Sequence, residues 1–319
     1  MTGSDEFRLA LVGAGRMGHH HLRALADHPA VRIRYVVDPV PAAREAVAAA
    51  GLPAYPSVED LLTDAVPDGL LVTAPTGRHG ALVAAAAKAG LPVLCEKPAG
   101  LDPAEAAEAG RVAAAAGIPF QVAYWRRFVP QLHRLRERIA GGELGEVLFV
   151  AAAQWDGEPP AAAFRTGSGG IFVDMGVHEF DQIRWLTGQE VDRVAVQPAG
   201  PVTDPAVRGR DVDSAQALLG LSGGGTALVS LGRHHRGGDM ATVEVFGTRD
   251  HERLTFLDPA DGDATMYAAL ARQAEDFAGL VREGRSAGAG VADAVAVLDA
   301  ARRATAQLTR GHEVHPIGD

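Results

Sequence analysis

Apolar and polar positions in the first 125 residues switch repeatedly between two periods. Short apolar runs at residues 8–12, 33–37, 69–73, 92–95 and 119–123 read as buried strands. Between them, residues 16–27, 42–50, 79–89 and 102–116 carry helical patterns, the third beginning at His79 and the last capped by Asp102. A short segment at 52–55 and a capped turn at Ser57, followed by Glu59 and Asp60, fill the remaining gap. Such strand–helix alternation predicts a parallel, doubly wound sheet, with ligands at the carboxyl ends of its strands.

After Tyr124-Trp125-Arg126-Arg127-Phe128 and a helix predicted over 130–140, the pattern changes. Residues 147–154, 191–197, 214–221, 226–231 and 242–246 are β-prone, with few helices between them, and Gly223-Gly224-Gly225 supplies a hairpin turn. A run of strands predicts an open, mostly antiparallel sheet. One helical stretch, 174–186, interrupts it. Amphipathic helices from Tyr267 to about Gly284 and over 291–308 follow, with a last strand near Glu313 and Val314. The fold class expected is α/β: an N-terminal Rossmann domain (1–125) with a doubly wound parallel sheet, and a C-terminal α+β domain (126–319) with an open, mostly antiparallel sheet.

A length of 319 residues suits two such domains, and 47% hydrophobic with 22% charged residues is an ordinary globular composition. The net charge of −10 argues against a nucleic-acid partner and against an anionic membrane surface. The start of the chain is polar and acidic with no apolar signal region, and the alanine runs are too short to span a bilayer. A single cysteine fits a reducing compartment. These features predict a cytoplasmic protein in which Cys95 is a buried strand thiol. The histidines, including His19-His20-His21, lack ligands at zinc spacing, so no metal is expected.

The first strand runs into Gly13-x-Gly15-x-x-Gly18, the spacing of a dinucleotide-binding turn. Gly13 would make the tight turn, Gly15 would admit a pyrophosphate, and Gly18 would let the helix pack on the sheet. Arg16 and Met17 begin that helix, whose N-terminus offers N–H groups to an anion. Asp38 ends the second strand near the ~20-residue offset of a ribose-binding acid. A carboxylate there favours NAD over NADP, although Arg16 and Arg44 keep NADP open. Two further strand ends belong beside the cofactor: Thr73-Ala74-Pro75-Thr76 with His79, and Glu96-Lys97-Pro98. Lys97 reads either as an ammonium aimed at a substrate oxygen or as a surface lysine paired with Glu96.

In 174–186, steps of ~100° place Asp174, His178, Asp181 and Trp185 on one stripe, with Met175, Val177, Phe180, Ile183 and Leu186 opposite and Glu179 intruding among them. Two acids flanking a histidine suit proton transfer. A plain helix cap at Asp174 and a surface His178 fit the same pattern.

Taken together, Gly13-x-Gly15-Arg16-Met17-Gly18, Glu96-Lys97-Pro98, Arg126-Arg127-Phe128 and Asp174-x-x-x-His178-Glu179-x-Asp181 resemble the Gfo/Idh/MocA oxidoreductases over essentially the entire chain. The second half is similar to the inositol dehydrogenases of that family. The resemblance implies a Rossmann domain and a second domain whose open sheet often forms a subunit interface, hence a homo-oligomer, dimer or tetramer. It implies that Lys97 binds and polarises the reacting oxygen, its aim often fixed by a cis Lys-Pro bond. It further implies that Asp174 holds substrate hydroxyls and that His178 takes the hydroxyl proton. A small polyol or sugar substrate calls for a pocket rich in hydrogen-bonding groups. Arg127, Trp155, Asp174, His178 and His235 are the substrate-binding candidates, with Trp155 and His235 placed to cap a ring; Tyr124, Gln154, Asp156, Arg165, Arg233 and His234 are further pocket candidates. The expected reaction is oxidation of a secondary alcohol of a cyclic polyol or sugar, inositol first, by NAD. Two other classes stay open: an NAD-dependent glycosidase of the same family, and a non-catalytic dinucleotide-binding regulator.

Overall fold

The structure, a computed structural model, describes residues 6–197 and 202–311. The strand expected near Glu313 and Val314 and the histidines at 312 and 315 lie outside the described residues. By their contacts the residues form two units: the chain through Phe128 together with Met266–Val295, and Val129–Thr265 together with the chain from Ala296. A single cut at 125/126 does not describe this arrangement, because the chain returns to the first unit late.

The first unit is built from β1 (Phe7–Val12), α1 (Arg16–Ala24), β2 (Val31–Val37), α2 (Pro41–Ala49), β3 (Ala54–Tyr55), α3 (Val58–Asp64), β4 (Gly69–Val72), α4 (His79–Ala89), β5 (Val93–Glu96), α5 (Pro103–Ala115) and β6 (Phe120–Ala123). Its six strands lie in the order 3-2-1-4-5-6, every pair parallel. That is the doubly wound order of a dinucleotide-binding domain, with its topological switch at β1 and β4. Strands covered on both faces read as continuous apolar runs; Leu9, Leu11, Leu71 and Leu94 fill one face while Ala10, Val12, Leu70, Val72 and Cys95 fill the other. Cys95 is buried, and burial pushes its thiol far above the ordinary range, which makes it a core residue.

The second unit contains α6 (Pro130–Ala140), β7 (Val147–Trp155), α7 (Ala162–Gly167), α8 (Val177–Thr187), β8 (Val191–Gln197), β9 (Ser214–Leu221), β10 (Thr226–Gly232), β11 (Met240–Gly247) and β12 (His251–Leu257). Its strand order is β12-β11-β7-β10-β9-β8, antiparallel except for the parallel β7–β10 pair. The hairpin at Gly223-Gly224-Gly225 is closed by Leu221 N–H donating to the Gly225 carbonyl, with Gly224 at φ +92°. Alternation divides the sheet cleanly. Val150, Ala152, Val229, Leu231, Ala217 and Val243 are buried on one face, whereas Leu218, Leu228 and Phe246 remain exposed on the other. β12 and the short α7 carry too little periodicity to be read from the sequence.

Two long helices complete the chain, α9 (Ala264–Glu283) and α10 (Val291–Gly311). α9 explains the late return. Its Ala274, Phe277 and Ala278 join the core of the parallel sheet, and the Phe277 ring meets Phe7 edge-on at 5.9 Å. Gly69 makes room for that ring, since a Cβ there would lie 3.0 Å from Phe277 Cε1. No described helix is long and apolar enough to cross a membrane.

The 174–186 stretch differs from its sequence reading. It opens with a π-helical turn, Phe172–Gly176, that leads directly into α8. A π-turn is wider than an α-turn, so a 100° step does not carry from Asp174 to His178. Nor is one side of α8 a wet polar stripe. His178, Glu179, Asp181 and Gln182 are all buried along with Val177, Phe180, Ile183 and Leu186. Glu179 is therefore not an intruder in an apolar arc but one of several polar groups inside the unit.

Candidate active site

The nucleotide turn is fixed by backbone geometry and by two side chains. Gly13 sits at φ +106°, and a Cβ there would lie 2.7 Å from the Ala74 nitrogen. Any other residue at that position meets both a left-handed backbone and a clash with main chain. Gly18 is equally closed, its missing Cβ facing the Gly13 carbonyl, while nothing lies within 4 Å of the corresponding position at Gly15. Gly15 thus presents a bare backbone to open space, as a pyrophosphate contact requires.

The helix that follows is left uncapped. α3 and α5 are capped by Ser57 and Asp102, but the N-cap of α1, Gly15, has no side-chain cap bond. The first N–H groups of α1, from Arg16, Met17 and Gly18, consequently lack a protein cap. A diphosphate fits that donor set, and these residues would hold it.

Asp38 and Thr73 brace the turn from either side. Asp38 is buried, with Oδ2 accepting the Ala14 N–H and Oδ1 the Val40 N–H, each at 2.8 Å. Each oxygen keeps a second lone pair for a ribose hydroxyl. The Arg44 guanidinium donates to the Asp38 backbone carbonyl at 2.8 Å, so Arg44 serves the loop. The Thr73 hydroxyl donates to the Gly13 carbonyl at 2.5 Å, which ties the end of β4 to the turn. Pro75 is exposed and Thr76 half-buried at the start of the next helical segment.

Lys97 is set by buried neighbours. The Lys97–Pro98 bond is cis. Both carboxylate oxygens of Glu96 turn inward: Oε1 lies 2.8 Å from His21 Nε2 on α1, and Oε2 accepts the Lys97 backbone N–H at 3.1 Å. Glu96, expected at the cofactor, therefore links the nucleotide helix to the lysine turn. On the other side His79 is buried, with Nε2 at 2.8 Å from the Ala74 carbonyl and Nδ1 at 2.9 Å from the Pro98 carbonyl. Burial, its largest influence, pulls the His79 pKa below the ordinary value despite these two carbonyls. The ring joins the Thr73–Thr76 strand end to the Lys97–Pro98 turn.

Arg127, a substrate-binding candidate, is also buried, and its guanidinium lies 3.1 Å from Asp293 Oδ1 in the first turn of α10. Its visible partner is an internal carboxylate.

In the second unit Asp174 and His178 occupy the π-turn and the first turn of α8, packed on the buried face of the sheet; at Gly176 a Cβ would lie 3.2 Å from Leu231 Cδ1. Trp155 is not brought to them. It shares its side of β7 with Ala151 and Ala153, and its indole lies across Gly232 on the open face, donating Nε1–H to Ser230 Oγ at 3.2 Å. The alternation of side chains along β7 sends it there.

Asp156 is turned the other way. Burial first, and then the charges of Asp239 and Asp174, push its carboxyl above the ordinary range, against a hydrogen bond from Gln154 at 2.8 Å. His235 stays close, its backbone N–H donating to the Asp156 carbonyl at 2.9 Å. Its Nδ1 lies 2.7 Å from the Gly238 carbonyl, an acceptor only, so the neutral ring carries its proton there and presents Nε2 as an acceptor.

Arg165, Arg233 and His234, offered by the sequence as pocket candidates, belong to a charge cluster beneath Asp174 whose acids, Asp211 and Asp213, the sequence did not single out. Arg233, fully buried, donates Nη1–H to Asp174 Oδ2 at 3.0 Å, and its Nη2 lies 3.2 Å from Asp211 Oδ2. Asp211 in turn accepts from Arg165 Nε at 2.6 Å, and Arg165 Nη2 reaches Asp213 Oδ1 at 2.7 Å. Burial pushes Asp213 up, but Thr203, Arg165 and His234 outweigh it and hold its pKa at about 2. Among the described residues no group of His, Cys, Asp and Glu is arranged to hold a metal ion.

Comparison with known proteins places these features in a lineage. Residues 7–124 match the oxidoreductase family with an NAD-binding Rossmann fold, and residues 132–251 match the GFO/IDH/MocA C-terminal domain. The chain is 46% identical over 304 residues to the rhizopine catabolism protein MocA of Rhizobium meliloti, covering 95% of this chain and 96% of that protein. It is 30% identical to the inositol 2-dehydrogenase of Rhizobium meliloti strain 1021, covering 94% and 97%. The crystal structure of a myo-inositol dehydrogenase from Corynebacterium glutamicum ATCC 13032 superposes with a TM-score of 0.85 at 25% identity, covering 96% and 97%. An NAD-binding turn with 3-2-1-4-5-6 strand order, followed by a matching second domain, leaves one assignment: the chain belongs to the Gfo/Idh/MocA family of oxidoreductases.

Proposed function

We propose that this protein is an NAD-dependent dehydrogenase that oxidises a secondary alcohol of a cyclic polyol or sugar, an inositol first, with Lys97 and His178 as its acid–base pair. The observation that carries the reading is the bracing of Lys97. Glu96, His21 and His79 spend buried hydrogen-bonding groups on a turn that a plain surface lysine would not need. The similarity to inositol 2-dehydrogenase over nearly the full length of both chains supports the choice of substrate class.

NAD, when bound, supplies the hydride acceptor. The N–H groups of α1 and the bare backbone at Gly15 hold its diphosphate, and Asp38 holds the adenosine ribose and disfavours a 2′-phosphate. Thr73, Pro75, Thr76 and His79 shape the strand end beside it. The Lys97 ammonium binds the reacting oxygen and stabilises negative charge as the hydroxyl proton leaves. His178 accepts that proton, and Asp174 orients the substrate through its hydroxyls, with His235 at the rim. A positioned base of this kind contributes roughly 10²–10⁴-fold.

We further infer a homo-oligomer formed through the open face of the second sheet. Leu228 pairs with Leu218 in register and Phe149 with Phe246, so these apolar side chains form one patch. Contiguous exposed apolar surface marks an interaction site. The single cysteine and acidic composition fit a cytoplasmic location.

The test is a screen of inositol isomers and aldoses with NAD, read as absorbance of the reduced cofactor. Lys97→Ala is expected to abolish reduction while leaving NAD affinity within about 3-fold, since its loss removes transition-state rather than cofactor contacts. Loss of NAD binding in that variant would place the lysine at the cofactor instead. Release of a sugar without net reduction would identify a glycosidase.

A further inference from the structure

We propose that Arg233 is the positioning residue for Asp174, holding its carboxylate in the orientation in which it receives the hydroxyls of the substrate. The proposal rests on the reading of Asp174 as a substrate-holding group and adds the device that fixes it. The geometry is a chain of alternating charge inside the second unit. Asp213 and Asp211 are joined by Arg165, at 2.7 and 2.6 Å, and Asp211 and Asp174 by Arg233, at 3.2 and 3.0 Å.

The five residues come from separate places: Asp174 from the π-turn, Arg233 from the end of β10, Asp211 and Asp213 from the approach to β9, and Arg165 from α7. Arg165 and Arg233 are each 1% exposed or less. Taking two guanidinium groups and their carboxylates out of water is expensive, and an apolar core of the same shape would serve stability as well or better. What the chain supplies that an apolar core cannot is a fixed direction for its last member. A guanidinium is planar and rigid, so a carboxylate oxygen bonded to it has little freedom to turn.

The Asp174 side chain is 12% exposed, whereas that of Asp211 is 0% exposed. The chain therefore runs from the interior to a carboxylate that a small molecule can reach. Arg233 has a second effect at the same place. Its positive charge opposes the repulsion that Asp174 exerts on the half-buried Asp156.

The experiment uses the full-length protein with NAD and whichever of myo-inositol or scyllo-inositol the wild type oxidises. Arg233→Lys keeps the charge and loses the planar fork. It is expected to fold with a near-native melting profile and to retain NAD affinity within about 3-fold. Its polyol KM should rise by roughly 10-fold or more, equivalent to at least about 1.4 kcal/mol. A change of that size in KM, with kcat less affected, is what misorientation of a substrate-holding group produces and a general loosening of the fold does not.

The double variant with Asp174→Asn is expected to be no more than about 3-fold worse than Asp174→Asn alone, because both changes interrupt one interaction. Asp211→Asn, nearly isosteric, is expected to raise the polyol KM in the same direction by releasing the far side of Arg233. Wild-type KM in Arg233→Lys, or losses that multiply in the double variant, would overturn the proposal. Failure of both Arg233→Lys and Asp211→Asn to fold would do so as well, since the chain would then be a folding element. Should Asp174→Asn alone leave KM and kcat unchanged, the reading of Asp174 itself falls; a damaged Asp174→Asn beside a normal Arg233→Lys removes only the role of Arg233.

Discussion

Removing the Asp38 carboxylate should do two separable things, and their sizes follow from its hydrogen bonds. Its Oδ2 is the partner of the buried Ala14 N–H and its Oδ1 that of the half-buried Val40 N–H, both at 2.8 Å. Asp38→Ala strands the first donor away from water, at a cost of about 1–3 kcal/mol, and passes the second to solvent for about 0.5–1.5 kcal/mol. The total, roughly 2–4 kcal/mol, corresponds to a fall in melting temperature of about 3–6 °C for a protein of this size. Ala14 lies between Gly13 and Gly15, so the loosened segment is the nucleotide turn itself, and NAD affinity should fall with it. Asp38→Asn separates the two roles. It keeps one acceptor oxygen and loses the charge, so about half the stability loss is expected, with the full loss of discrimination against a 2′-phosphate. The assays are thermal melts by circular dichroism and titrations with NAD and NADP. The preference for NAD should drop by about 10-fold or more in both variants, equivalent to ~1.4 kcal/mol. If Asp38→Ala melts within ~1 °C of the wild type, a loss below ~1 kcal/mol, the hydrogen-bond argument is wrong. An unchanged NAD:NADP ratio would separately reject the ribose role.

Two pH effects follow from buried groups of opposite kind. The folded state holds the His79 pKa below 6.5, so the unfolded chain binds the extra proton first as pH falls. This part of the stability is complete above about pH 6.5 and declines below it; His79→Gln should flatten that limb in melts taken from pH 7 to 5. Asp213 is depressed from 3.8 to about 2, and therefore contributes stability that is complete above the upper value and lost as pH falls through the lower. Asp213→Asn should cost about 2 kcal/mol at neutral pH and little near pH 2, measured by urea unfolding at the two pH values.

The parallel half was legible because its physics is local. Strands covered on both faces appear as apolar runs, and the helix His79–Ala89 begins and ends where its pattern does. The destination of α9 was not legible. Amphipathic spacing shows that Phe277 needs a core, and nothing in it says that the core is the parallel sheet some 200 residues earlier in the chain. Trp155 marks a different kind of miss. Period-2 counting along β7 puts it with Ala151 and Ala153, away from the face that Val150 and Ala152 line, and the small Gly232 was a sign of something large lying across that strand. The chemistry of Trp155 suggested a ring cap, whereas its parity sets it on the open face of the sheet.

The buried charges carry the broader lesson about how the site is encoded. Arg165 and Asp211 are 46 positions apart and Asp174 and Arg233 are 59 apart, so no window reveals either pair. Each charged residue looks like loop solvent exposure in its own surroundings, and only the fold converts them into one object. The same holds for His21 and Glu96, 75 positions apart, which join the nucleotide helix to the lysine turn. In both units a candidate site residue stands at the outer end of a buried polar chain, Lys97 beyond Glu96 and His21, Asp174 beyond Arg233 and Asp211. Apolar burial can hold an element in place, but it is non-directional. Aiming a single ammonium or carboxylate requires directional bonds, which must themselves be shielded from water to resist exchange. That requirement explains why the sequence motif holds the candidate residues while their supports are scattered: a group proposed to meet a ligand must sit at a strand or helix end, whereas a support need only come from whatever element the fold packs behind it.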